Sequence, residues 1–330
     1  MTGLFKRSSP VNIAYLLLYA LVLKIYTFLD PKVPVAQPTD GFMYQKLLDF
    51  LSPMNDSFPL IYPIIALVFI FVQALTFNSF VNTEKLLHRG SYLPAMSYIL
   101  ITSFFPEWWQ LSSALLVNTL MIWLIGALCK LYNHPSPKGL IFNAGMVLGI
   151  ASFFYFPAIL FYLLLFYALV SLRPFRVSDW MVATLGVLTP YYFLFTILFL
   201  INNWNPLTYL PSISVDLPRF TQNYWSLSAI LLLVIPFLIA IVLIQQNLLR
   251  MLIQVRKIWG LLLVYLVLSL IIPFINITPS FQYWMLAALP FAAFHSYTYF
   301  YATKKWLSLT LHWISVAFVI ALNIWVSSGK

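Results

Sequence analysis

From Phe220 to Leu249 the chain carries no charged side chain. A helix of about 20 apolar residues crosses the hydrocarbon core of a bilayer, and lipid admits only structures that satisfy their own backbone. The feature recurs along the sequence. Mostly apolar stretches fall at 11–29, 59–79, 91–106, 110–129, 139–154, 157–172, 180–202, 225–245, 258–275, 281–301 and 306–326. The expected fold is therefore an all-α integral membrane protein with about eleven transmembrane helices. It forms a single polytopic membrane domain over residues 1–330.

Composition points the same way. The chain is 62% hydrophobic and 8% charged, against about 25% charged residues in a soluble domain. The net charge of +10 does not indicate nucleic acid, because the basic residues are scattered between apolar runs and form no dense patch. The lone Cys129 excludes an intramolecular disulfide and reads as a buried bystander. No small-residue cleavage site follows the first apolar run, so no cleavable signal peptide is expected.

Lysine and arginine set the orientation, since they concentrate in cytoplasmic loops. With the N-terminus inside, the inner loops hold Lys6, Arg7, Lys85, Arg89, Lys130, Lys138, Arg173, Arg176, Arg250, Arg256, Lys257, Lys304 and Lys305. Only Lys32, Lys46, Arg219 and Lys330 fall outside, and Lys24 lies in the first span. The C-terminus is then outside. Six of the eight acids, Asp30, Asp40, Asp49, Asp56, Glu107 and Asp216, fall on the outer side. Four of them share the loop 30–58, which is either a solvated acidic loop or a site that uses carboxylates.

Within that loop, PTDGFMYQKLLDFL (38–51) reads as an interfacial helix. Asp40, Tyr44, Leu47, Leu48 and Leu51 share one side, while Gln45, Lys46 and Asp49 lie off it. Asp40 is placed to cap this helix. A carboxylate at the edge of a cleft instead serves as a general base or as a ligand for a divalent metal.

Two more places are candidates, and the remaining polar features have simpler readings. Asp216 and Arg219 lie in the second outer loop, as a local ion pair or as contacts to a lipid phosphate. Lys24 either snorkels to the interface or faces a cavity. Trp108 and Trp109 read as belt residues beside Glu107, a polar turn. RPFRVSDW (173–180) reads as an interfacial anchor, and His295 and His312 as satisfied bundle histidines. Pro157 suggests that 139–172 is two short helices meeting at a break.

These features resemble the membrane glycosyltransferases of the C superfamily, which take sugars from polyprenyl-phosphate carriers. Asp40-Gly-Phe-Met-Tyr44 has the spacing of an acid and an aromatic residue in that family's first outer loop. The family often has a second acid directly after the first, and this chain has Gly41 there. In those enzymes a glycine-marked short helix pairs with a second that ends in an arginine, and 142–175 is similar. The likeness covers 1–202, with 203–330 supplying C-terminal helices. It implies Asp40 as base or metal ligand, with Tyr44, Lys24, Asp216 and Arg219 as sugar or lipid-phosphate contacts.

The sequence also resembles an uncharacterised family of multi-pass inner-membrane proteins in Bacteroidota. FKRSSPVN (5–12), NAGMVLGIASFFYFP (143–157) and RPFRVSDW carry that likeness. Two functions are expected. One is a transferase using a polyprenyl-phosphate sugar on the outer face. The other is a non-enzymatic subunit or scaffold of an envelope or secretion complex, held by a membrane protein partner. A transporter fits less well, because intramembrane charges are nearly absent.

Overall fold

The computed structural model describes residues 2–202, 224–275, 280–302 and 304–327. They build fourteen α-helices, and no strand occurs among the described residues. In chain order these are α1 (Thr2–Phe5), α2 (Val11–Leu23), α3 (Ile25–Leu29), α4 (Phe42–Leu51), α5 (Ile61–Thr83), α6 (Leu93–Ile101) and α7 (Ser113–Cys129). They continue as α8 (Lys138–Phe154), α9 (Tyr162–Leu172), α10 (Val177–Leu200), α11 (Tyr224–Asn247), α12 (Ile253–Ile271), α13 (Ala288–Tyr301) and α14 (Lys305–Ser327). Five segments, 61–83, 177–200, 224–250, 253–274 and 306–327, are long and apolar enough to cross a membrane. Each apolar stretch of the sequence carries helix, but several are short or interrupted.

The interruptions have local causes. The first stretch breaks at Lys24, whose φ of −117° and ψ of 21° separate α2 from α3. The stretch 139–172 is two helices. α8 stops at Tyr155, which is extended, and a 3-10 turn over Phe156–Phe161 carries Pro157 before α9 begins. Proline has no N–H to continue the α-helical ladder, which accounts for the break.

The centre of the bundle is α6 packed on α13. Every residue of α6 is buried, and so are twelve of α13. Polar side chains tie this centre together. Gln73 donates to the carbonyl of Leu115 at 2.7 Å, Tyr98 donates to Gln73 at 2.6 Å, and Asn118 donates to the carbonyl of Met285 at 3.1 Å. Such bonds satisfy groups that lipid would leave unpaired.

The most intimate helix pair is α8 with α10. A Cβ at Gly145 would lie 2.4 Å from the carbonyl oxygen of Ala183, and one at Gly149 2.6 Å from that of Val187. Gly186 approaches Phe142 from the other side in the same way. Glycines four apart let helix backbones meet closely. The glycine face of 142–175 thus meets α10, rather than the second short helix expected from the resemblance. α9 packs mainly on α12.

Contacts gather the basic loops at one end of the bundle. The N–H of Tyr92 donates to the carbonyl of Phe5 at 2.8 Å, Lys6 lies over the Phe300 ring, and His88 meets Tyr301. Gln254 donates to Glu84 at 3.0 Å, Lys257 covers Tyr132, and Arg173 donates to the carbonyl of His134 at 3.0 Å. Glu84 is half-buried there, and burial raises its carboxyl above the ordinary value. The segment 173–180 is more than a surface anchor. Arg173 and Asp179 form a buried pair at 3.4 Å, while Phe175 and Arg176 stay exposed.

Candidate functional site

The site is built around a turn that the sequence marks plainly. Pro38 sits in the turn from Gln37 to Asp40, where proline presets φ. The N–H of Asp40 donates to the carbonyl of Gln37 at 2.9 Å, and the N–H of Gln37 donates to Oδ2 of Asp40 at 2.8 Å. The carboxylate therefore closes its own turn. Its other oxygen, Oδ1, accepts from the hydroxyl of Ser113 and from Tyr283 at 2.9 Å. Thr39 donates in turn to the hydroxyl of Tyr283. Ser113 opens α7, so the carboxylate also meets the positive end of a helix dipole.

Backbone contacts fix the turn against the break between α8 and α9. Asp40 and Tyr155 form an antiparallel bridge, and the N–H of Gly41 donates to the carbonyl of Phe154 at 2.8 Å. Tyr155 stacks on Tyr283 with ring centroids 4.4 Å apart and planes within 9°. A Cβ at Gly41 would stand 2.1 Å from the carbonyl oxygen of Phe153. Glycine is required here by close backbone approach. A second acid at position 41 has no room.

The expected helix cap is overturned. The residue before α4 is Gly41, and it offers no side-chain cap. Asp40 instead turns away from α4 toward α7 and Tyr283, while the carbonyl of Gly41 starts α4 and its N–H goes to Phe154. The wheel holds within the helix, where Tyr44 and Leu51 face inward, but Asp40 lies in the turn before it rather than on its first turn. Asp40 and Tyr44 are both buried, and Asp49 is exposed. Tyr44 donates to the carbonyl of Leu111 at 3.0 Å, anchoring α4 beside the start of α7. Burial raises the Tyr44 hydroxyl well above its ordinary range.

Burial also dominates the electrostatics of Asp40, which is 3% exposed. Loss of hydration raises its carboxyl above the ordinary 3.8, and the bonds from Ser113, Gln37 and Tyr283 oppose that rise.

Lys24 does not snorkel. It is 1% exposed and donates to the carbonyl of Thr102 at 2.7 Å, just past the end of α6. Helix-terminal carbonyls lack intrahelical partners and attract cations. The structure therefore ties Lys24 to α6. Asp216 and Arg219 lie outside the described residues. Trp108 and Trp109 are buried rather than belt residues, donating to the carbonyls of Phe281 and Ser103 at 2.8 and 3.0 Å. Glu107 is in their turn, and burial raises its carboxyl. His295 meets the carbonyl of Leu233 at 2.9 Å. His312 is held by ring contacts with Tyr19 and Tyr299, and no hydrogen bond to its nitrogens is made by the described residues.

Ser113, Tyr155 and Tyr283 were not expected at the site. A divalent metal does not fit Asp40. Three of its roughly four lone-pair positions take protein donors, and none of those donors is a second acid or a histidine. Among the described residues no group of three or more His, Cys, Asp or Glu is arranged to hold a metal.

Helices long enough to cross a bilayer and a buried polar centre define a helical membrane protein. Residues 43–326 match the model of a family of unknown function, DUF6427, and the chain belongs to that family. The match takes in Tyr44, Ser113, Tyr155 and Tyr283, and begins just after Asp40 and Gly41. No curated protein and no solved structure matches the chain.

Proposed function

We propose that this protein is a non-enzymatic subunit or scaffold of an envelope or secretion complex. It sits in the bacterial inner membrane as a bundle of eleven spans, N-terminus inside and C-terminus outside. The supporting observation is the Asp40 carboxylate, enclosed and bonded to Ser113, Tyr283 and Gln37. A general base must reach the proton that it removes, whereas this carboxylate joins the first outer loop to α7 and to the turn before α13. The outer face is thereby a fixed surface, suited to holding a partner. Gentle extraction is expected to recover a second membrane protein at fixed stoichiometry. Recovery of a lone monomer in mild detergent would refute the reading.

A second reading is a transferase that uses a polyprenyl-phosphate sugar. It is favoured by the position of Asp40 in the first outer loop, where the resemblance puts the acid, held against the α8–α9 break. Full transfer activity in Asp40→Asn would sink this mechanism.

A further inference from the structure

A groove of about 790 Å³ opens at the basic end of the bundle. Its walls come from α1, the following loop, the start of α2 and the first turns of α14. Leu4, Val11, Tyr15 and Leu309 give it exposed apolar sides, and Lys6 and Arg7 stand exposed at its rim. The rim is held in place rather than left to the loop. Asn12 is buried and donates to the carbonyls of Leu4 at 3.2 Å and Arg7 at 2.6 Å. Lys6 sits 5.4 Å from the centroid of the Phe300 ring.

Two observations place this groove at the level of lipid headgroups. On α14, Trp306 and Trp313 are 59% and 49% exposed on either side of Leu309 in sequence. Exposed tryptophans on a membrane helix mark the interface. Lys304, also exposed, precedes them at the same end. A groove with apolar walls and a cationic rim at that depth matches an amphiphile with a negative head. A soluble anion would leave the apolar walls unused.

We propose that this groove binds an anionic glycerophospholipid. Its phosphate lies between Lys6 and Arg7, where arginine offers paired donors. Its acyl chains cover Val11, Tyr15 and Leu309. The site is independent of the Asp40 junction and of its function.

The test is native mass spectrometry of the full-length protein in mild detergent. It is titrated with phosphatidylglycerol or phosphatidylcholine of matched acyl chains. Phosphatidylglycerol is expected to be retained and phosphatidylcholine to be lost. Lys6→Gln/Arg7→Gln is expected to weaken retention by about tenfold or more. Lys85→Gln/Arg89→Gln, on a neighbouring basic loop, is expected to retain the lipid as the native protein does. Equal retention of both lipids, or undiminished retention by the Lys6/Arg7 variant, overturns the proposal. Displacement by glycerol 3-phosphate at equal concentration also overturns it, assigning the groove to a soluble phosphate. If the double variant does not fold, a salt series on the native protein decides. Retention must fall as salt rises, and salt-independent retention refutes the site.

Discussion

The hydroxyl of Tyr283 donates to Oδ1 of Asp40 at 2.9 Å, across 243 residues of chain. One bond therefore links the turn before α4 to the turn before α13. Removing the carboxylate strands Ser113, Tyr283 and the Gln37 N–H together. Asp40→Ala is expected to cost about 2–4 kcal/mol, since buried donors left unpaired cost about 1–3 kcal/mol each and partial relaxation offsets some of that. Asp40→Asn is expected to cost less, because its carbonyl still accepts from the hydroxyls. Unfolding midpoints in a single detergent check both.

Proton linkage has a definite sign at this residue. Burial raises the Asp40 carboxyl above 3.8, so the folded protein keeps its proton to higher pH than the unfolded chain does. The stabilisation is complete below 3.8 and is lost as pH rises through the folded value. The native unfolding temperature is expected to fall across that window. Glu84 and Glu107 shift the same way, so the measurement is the difference between native and Asp40→Asn profiles. A difference that does not change with pH would contradict the assignment.

Gly41 tests the backbone contact separately from the carboxylate. Gly41→Ala forces a Cβ toward the Phe153 carbonyl, and overpacking of this kind costs about 1–3 kcal/mol. Loosening of the turn is expected to expose residues 30–58 to protease. Gly41→Asp is expected to be worse, because its larger side chain meets the same carbonyl.

At the basic end, Arg173 and Asp179 are paired with side chains only 8% and 4% exposed. Arg173→Met alone leaves a buried acid and is expected to cost about 3–5 kcal/mol. The double variant Arg173→Met/Asp179→Leu is expected to recover most of that loss. A double-mutant cycle on unfolding free energies checks the coupling.

Helix positions were legible in the sequence because lipid leaves a simple demand: long apolar runs with their charges at the ends. The break near Pro157 was legible for the same local reason. The surroundings of Asp40 were not. Its partners Ser113 and Tyr283 are ordinary hydroxyls in distant segments, and no periodicity records which helix end meets which loop. Lys24 misled because a lysine near a span's end usually has water within reach. Here the end of α6 arrives first and supplies a carbonyl. The cap reading of Asp40 failed at its neighbour, where Gly41 commits its N–H to another helix.

α6 has a consequence for how the protein is made. Its nine residues, all buried, reach only about 14 Å at 1.5 Å per residue, less than half of a hydrocarbon core of about 30 Å. Such a segment cannot partition into lipid by itself. Its packing partner α13 is synthesised nearly 200 residues later. The insertion machinery or the earlier helices must therefore shelter α6 until the penultimate helix emerges. Chains truncated before α13 are expected to stay with their chaperones and be degraded, rather than settle as smaller bundles.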